Sequence, residues 1–333
     1  MERNLRVPAT ERVFSGIQPS GASHLGNYLG AQANYVALQE QNEAIYCIVD
    51  LHALTTVHDG AALRALTHEM ALDLLTVGLD PERCALFRQS DVPEHTELSW
   101  VLGTVVPVSW LERNPTYKNK RQHGVESSAG LLDYPVLQTA DIVLYKATRV
   151  PVGRDQAPHL EISREIVRAF NHRYGAIFPE PQPMYTEAPV VRGTDGVAKM
   201  SKSAGNTIPI FVEPDEIRRI VTGMVTDPRR IRRTDPGRPE ICNVCQLHRF
   251  FGPDYESIWE GERTARTGCA DTKQLLAERI IEFFGAMRAK RRELAAKPDL
   301  VEAVLAAGAR RVRAIATETM QQVREAVGIG PRR

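Results

Sequence analysis

VFSGIQPSGASHLGNYLG, residues 13–30, is the stretch on which the reading turns. Val13–Ile17 is a short apolar run of strand type, and Leu25–Leu38 follows it with a helical pattern. Between them stand Gly16, Gly21 and Gly26, with His24 and Asn27 where the helix begins. Ligands of open parallel sheets bind beyond the carboxyl ends of strands, beside helix N-termini. Glycines let the backbone approach a ligand closely, and His24 and Asn27 offer neutral hydrogen-bond donors. The turn matches neither G-x-G-x-x-G nor G-x-x-x-x-G-K-[ST], so it is neither a dinucleotide fingerprint nor a P-loop. On these residues alone, a ligand-binding turn and a bare glycine-rich turn are even alternatives.

The sequence outward from this stretch repeats its pattern. Ala44–Val49 is a continuous apolar run, as expected of a strand covered on both faces. Leu63, Leu66, Met70 and Leu74 then mark a helix that stops at Gly78. Cys84–Phe87 reads as a third strand, Leu131–Lys146 as helix, Ala147–Val152 as extended chain and Pro158–Phe170 as helix. Such alternation predicts an α/β fold, a Rossmann-like parallel sheet with helices on both faces. After residue 206 the strand patterns cease. Asp215–Val225, Gln246–Phe251, Asp271–Lys297 and Pro298–Val327 favour helix, and Asp227–Pro236 reads as a charged surface connection. The expected division is a nucleotide-binding domain over 1–205, which the terminal helices could rejoin, and a smaller all-helical domain over 206–333.

Composition limits the function classes. The 333 residues suit about two domains, and 43% hydrophobic with 25% charged residues is ordinary for a globular protein. No apolar run is long enough to span a membrane, and MERNLRVPATERV lacks the apolar core of a secretory signal. A cytoplasmic protein is expected. A formal net charge of +1 excludes a generic polyanion binder. Residues 287–333 nevertheless hold eleven Lys or Arg against five Asp or Glu, a local excess that can steer nucleic acid or simply be a solvated helical face.

A second motif supplies what the first lacks. Lys199-Met200-Ser201-Lys202-Ser203 follows Gly193-Thr194-Asp195-Gly196 and precedes Gly205-Asn206. Two lysines three apart among small residues make a mobile loop that can close on phosphates and stabilise transition-state charge. HLGN followed by KMSKS resembles the signature pair of class I aminoacyl-tRNA synthetases. The intervening sequence is similar to the bacterial tryptophanyl-tRNA synthetases, through FSGIQPSG, HLGNYLGA, IVDLHALT, YKNK at 117–120, YPVLQTADIVLY, VPVGRDQ and AKMSKS. The likeness continues through AGARRVRAIATETMQQVREAVG and so covers nearly the whole chain.

The resemblance implies a reaction. ATP and tryptophan form an aminoacyl-adenylate and pyrophosphate, and the aminoacyl group then passes to the 3′ end of tRNA(Trp). The amino-acid carboxylate itself attacks the α-phosphate, so positioning and charge stabilisation suffice. By resemblance, Gln18, Lys120, Lys199 and Lys202 reach the phosphates and carry catalysis. Pro19, Ser20, His24, Gly26 and Asn27, with Met200 and Ser201 of the loop, line the ATP site. Gly153, Asp155 and Gln156 hold the ribose, although Asp155 read alone is equally a helix N-cap. Mg2+ is expected on the phosphates.

Given the resemblance, helical spacing and the chemistry of indole locate the expected amino-acid pocket. Gln138 and Asp141 lie at i, i+3 on one predicted helix face, with Tyr134 one turn earlier. An indole N–H is donor-only, and Asp141 would accept it. Phe14, Gly16, His52, Val150 and Val152 would form the walls. Many bacterial relatives carry an apolar residue where this chain has Gln138. Tyrosine is the competing substrate, since its phenol O–H also donates to a carboxylate. Tyrosine enzymes usually append a separate RNA-binding domain, for which this chain has no room. The remaining alternative is a paralogue that keeps the fold as a binding protein. An intact HLGN, GRDQ and KMSKS argues against it.

Other features carry less. Cys242, Cys245 and Cys269 lie in the helical part, where some relatives hold an iron–sulfur cluster with four cysteines. Thr272 stands where a fourth would be, and His248 offers a Cys3His zinc set instead. Reduced thiols are the simpler reading. The family is homodimeric, and Trp100, Val101, Val105, Val106 and Trp110 suit an interface or a core. Arg310, Arg311 and Arg313 could meet the tRNA backbone.

Overall fold

The computed structural model describes residues 11–113, 117–118, 128–153, 157–185 and 190–330. Five parallel strands form its sheet: β1 (Arg12–Ile17), β2 (Glu43–Ile48), β3 (Ala85–Arg88), β4 (Arg149–Val152) and β5 (Gln182–Tyr185), in the order β3-β2-β1-β4-β5. The chain builds outward from β1 through β2 to β3 and then crosses to β4 on the other side of β1. That reversal opens a crevice between β1 and β4, where sheets of this kind take ligands.

The central strands are apolar because helices cover both of their faces. Ile45, Tyr46, Cys47 and Ile48 of β2 are all buried. The sequence reading missed β5. Its residues, QPMY, include Pro183, which cannot donate to a ladder. The position at the sheet edge explains the tolerance, since a missing N–H there can face outward.

The covering helices are α1 (Gly60–Val77), α2 (Glu94–Gly103), α3 (Ala129–Val143) and α4 (Ala157–Tyr174). Asp59 caps α1 by accepting from the N–H groups of Ala61 and Ala62. The helix expected over Leu25–Leu38 forms, with a π turn at Tyr28–Gln32. Beyond residue 206 come α5 (Pro214–Thr222), α6 (Asn243–His248), α7 (Tyr255–Arg263), α8 (Cys269–Phe283), α9 (Gly285–Ala295) and α10 (Pro298–Val327). The segment Asp271–Lys297, expected as one helix, is divided between α8 and α9. Phe284 at the break is fully buried against Tyr28 and Phe251. Burying that ring favours the bend over continuous helix.

Helix α10 lies against the sheet. Val301 and Leu305 share a core with Tyr46 and Leu86, while Val312, Ala316 and Met320 join the core of Phe87 and Tyr145. Gly308 sits so close to β3 that a Cβ there would lie 2.0 Å from the Leu86 carbonyl oxygen. Only glycine permits that approach. Among the described residues, no helix is long and apolar enough to cross a membrane.

Candidate active site

A cavity of about 500 Å³ occupies the crevice between β1 and β4. Phe14 and Gly16 of β1 and Val150 and Val152 of β4 line it, together with His52, Tyr134, Gln138 and Asp141. All eight residues expected around the amino acid thus share one cavity. Gln18 and Gly153, expected on the nucleotide, line it too. The i, i+3 spacing holds: Gln138 and Asp141 both project from α3 into the space.

Asp141 is 2% exposed and touched by three side chains. The Gln89 amide donates to Oδ1 at 2.7 Å, and His52 Nε2 lies 2.9 Å from Oδ2. His95 Nδ1 approaches Oδ1 at 2.7 Å as a charge contact rather than a well-aligned hydrogen bond. Burial alone would raise the carboxyl pKa. The close contacts of the His95 and His52 rings outweigh it and hold the group well below the usual carboxylate range. Asp141 is therefore an ionised acceptor at neutral pH. Tyr134 meets the His52 and His159 rings edge-on, at 6.4 and 6.2 Å between centroids.

The end expected to take the phosphates is built from the first turn and the lysine loop. His24 caps the short helix Leu25–Asn27: its Nδ1 accepts from the Asn27 N–H at 3.3 Å, and Asn27 Oδ1 accepts from the His24 N–H at 3.2 Å. With Nδ1 accepting, the ring proton resides on Nε2. Burial, then the positive charges of Lys202 and Lys199, lower the His24 pKa to about 4. The ring is thus a neutral donor at pH 7.

The lysine loop closes onto this turn. Lys202 Nζ donates to the Ser20 carbonyl at 2.8 Å, beside Gly21, whose φ of +96° is the left-handed conformation glycine adopts without strain. The Gly26 N–H points at Met200 Sδ, 3.3 Å away. Met200 is buried in a core shared with Leu25, Tyr28 and Ile208, which anchors the loop while Lys199 stays exposed. Asn206 fixes the rest. It accepts from the Ser201 N–H at 2.8 Å and donates to Asp195 Oδ2 at 2.8 Å and to the Lys199 carbonyl at 3.3 Å. Burial pulls the Lys202 pKa down, and the carboxylate of Asp73 opposes this.

Some expected residues stand apart. Pro19, Ser20, His24, Gly26, Asn27, Lys199, Met200, Ser201 and Lys202 form the turn-and-loop cluster, not the cavity wall. Lys120, Asp155 and Gln156 lie outside the described residues. Sequence reasoning missed Gln89, His95, Tyr145, His159, Asp73 and Arg291. Asp73 is fully buried on α1, accepts from the Ser23 N–H at 2.8 Å and pairs with Arg291 of α9 at 2.8 Å. The first turn is thus tied to the helical part of the chain.

The family model described as class I tRNA synthetases (W and Y) matches residues 9–285. This chain is a class I tRNA synthetase of that family. The synthetase is 47% identical to the tryptophan–tRNA ligase of Deinococcus radiodurans, over 95% of this chain and 98% of that one. It is 44% identical to the tryptophan–tRNA ligase of Rhodopirellula baltica, over 96% and 99%. Among solved structures, tryptophanyl-tRNA synthetase from Campylobacter jejuni, complexed with ADP and tryptophan, superposes with a TM-score of 0.89 at 38% identity, covering 96% of this chain and all of that one.

The cysteines do not assemble a four-ligand set. Cys242 and Cys245 interact thiol to thiol. Both ring nitrogens of His248 are engaged, Nε2 with the Thr272 carbonyl at 3.0 Å and Nδ1 with Arg279 at 3.3 Å. The hydroxyl of Thr272 bonds Glu262 at 2.7 Å. Among the described residues, no group of three or more His, Cys, Asp or Glu is placed to hold a metal ion. Thr272 thus supplies no fourth thiolate, and His248 is committed to protein partners.

Proposed function

We propose that the synthetase activates L-tryptophan with MgATP, releases pyrophosphate, and passes the tryptophanyl group to the 3′ end of tRNA(Trp). The observation that carries this is Asp141, an ionised acceptor fixed in the wall of the cavity at the β1–β4 crevice. A carboxylate offers about four lone-pair positions; here Gln89 bonds Oδ1, His95 closes on the same oxygen, and His52 takes one position on Oδ2. One remains, on Oδ2, for an indole N–H. Phe14, Tyr134, His52, Val150 and Val152 enclose a flat aromatic ring of that size. Gln138 adds an amide to the wall, a polar group where many bacterial relatives carry an apolar one.

In the first step an oxygen of the tryptophan carboxylate attacks the α-phosphorus, and the bond from that phosphorus to the bridging oxygen breaks. Pyrophosphate leaves with the electron pair. Lys199 and Lys202 neutralise the charge that gathers on the phosphates, assisted by Gln18 and Lys120. Neutral His24 donates without adding a charge that would have to be desolvated. Gly153, Asp155 and Gln156 take the ribose. Mg2+ arrives with the nucleotide as part of the substrate.

We assign this chemistry to residues 1–205 with α10, and anticodon binding to the helical part from 206. The exposed Arg310, Arg311 and Arg313 of α10 suit the tRNA backbone. A cytoplasmic homodimer is the matching assembly. Trp100, 78% exposed beside Leu54 at 51%, offers it an apolar patch, whereas Val101 and Val105 are committed to the chain's own core. Amino-acid-dependent ATP–pyrophosphate exchange tests the central claim. Tryptophan should support exchange and tyrosine should not. Exchange with tyrosine alone would overturn the specificity, and exchange with neither would overturn the reaction.

A further inference from the structure

Behind Asp141, out of reach of any ligand, lies a buried chain of polar groups. His95 of α2 is fully buried and lies between the phenol of Tyr145 and the carboxylate. Its Nε2 is 2.7 Å from Tyr145 Oη, and its Nδ1 is 2.7 Å from Asp141 Oδ1. Phe87 stacks on the His95 ring at 6.1 Å, and Phe14, a cavity residue, stacks on Tyr145 at 5.8 Å.

The donors can be assigned from their partners. Gln89 is fully buried, and its Oε1 accepts from the Leu51 N–H at 3.1 Å. Its amide nitrogen is therefore the atom facing Asp141 Oδ1. Burial holds the Tyr145 phenol in its protonated form, so Tyr145 donates to His95 Nε2. That leaves the proton on Nδ1, the nitrogen that lies 2.7 Å from Asp141 Oδ1. The Gln89 amide bonds Oδ1 and the His95 ring closes on the same oxygen, so Oδ2 is left to His52 and the cavity.

We infer that His95, oriented by Tyr145, is a positioning residue for amino-acid selection: it pins Asp141 so that Oδ2 presents a fixed acceptor to the ring N–H of the substrate. This rests on the reading of Asp141 as the acceptor for that N–H. The physical reason is asymmetric. A fixed, ionised acceptor rewards a donor and is left unpaired by a ring that lacks one. A carboxylate free to rotate, or to carry a proton, would lose that discrimination. His95 touches no substrate atom and acts only through Asp141.

The test compares tryptophan with 3-(benzothienyl)alanine, in which sulfur replaces the ring N–H, by pyrophosphate exchange on the full chain. The quantity read is the ratio of the two kcat/KM values. Asp141→Ala should collapse the ratio. His95→Phe keeps a buried ring but removes both nitrogens. It should lower the ratio by about tenfold or more, in the range of a buried hydrogen bond to a charged group, through the KM for tryptophan. The KM for ATP and the kinetics of the sulfur analogue should hold. His95→Gln, which restores a donor, should recover part of the ratio. Tyr145→Phe removes one oxygen and should lower the ratio by a few-fold, so the inference stays testable if His95→Phe does not fold. An unchanged ratio in Asp141→Ala would sink the acceptor reading itself, and the inference with it. A collapsed ratio in Asp141→Ala alongside an equal loss for both amino acids in His95→Phe, or no shift in Tyr145→Phe, would overturn only the inference.

Discussion

Asp141 is 2% exposed and touched by three side chains, whereas Lys202 is partly buried and donates to a backbone carbonyl. In the proposed reaction they are the charged groups at the two ends of one site. The proposed amino-acid end is built from side chains of α2, α3 and the turns after β2 and β3, bonded to one another. The proposed nucleotide end is a loop anchored at Met200 and Asn206, with Lys199 exposed and Lys202 on the Ser20 carbonyl. Selection of an amino acid among similar ones profits from a rigid acceptor. Charge stabilisation in phosphoryl chemistry profits from cations that can follow the phosphates as they move. The contrast teaches that recognition and reaction are carried by parts of the chain with different stability, so a substitution should damage one without the other.

The largest separation is expected at Lys202. Lys202→Ala should slow adenylate formation by about 10²–10³-fold, the usual loss of one preorganised stabilising group. Tryptophan affinity and the thermal midpoint should barely move, since the side chain lies on an outer loop. Rapid-quench measurement of adenylate beside equilibrium binding of tryptophan reads both. A parallel fall in tryptophan affinity would mean the two ends are not separable.

Asn206→Ala sharpens the same contrast at the anchor. It frees the Ser201 N–H and the Asp195 carboxylate at once. Stability should drop by about 1–3 kcal/mol, as for other buried hydrogen-bonded groups, and kcat should fall about tenfold while tryptophan affinity holds. Denaturant unfolding and steady-state kinetics check this. If kcat survives the loss of Asn206, the loop needs no clamp.

The smallest effect belongs to His24. Its folded pKa, about 4, lies below the ordinary 6.5, so the unfolded chain binds the extra proton first. The stabilisation is complete above pH 6.5 and is lost as pH falls toward 4. The wild type should therefore lose more stability over this window than His24→Asn does, and the His24 ring signals in NMR should not titrate between pH 6 and 8. A midpoint near 6.5 would show that neither burial nor the lysine charges act on the ring.

Much of this arrangement could be read from the sequence, and the reason is local. Strands β1 to β4 announce themselves as apolar runs between glycine- and polar-rich turns. The pair at i, i+3 on α3 needs only the period of a helix. The first turn and the lysine loop carry their chemistry within a few residues each. What could not be read depends on contacts between distant elements. His95 on α2 looks like any core histidine until α2 packs along α3. Asp73 and Arg291 form a pair only when α9 reaches α1. Gln89 had one available signal, its place just past the carboxyl end of β3, where ligand-facing residues gather. Strand β5 was hidden by its own proline, Pro183.

Gly308 bears on how the molecule comes into being. The outer face of β3 is sealed by a helix from the far end of the sequence, pressed so closely that a single methyl group would clash with the Leu86 carbonyl. A ribosome releases the strands early and the seal last. Throughout synthesis the nascent sheet must wait with Leu86 and Tyr46 unshielded, in the kind of state that invites aggregation or chaperone capture. Contacts this distant along the sequence also slow refolding. The sheet of the first half is finally closed only once α10 has been made.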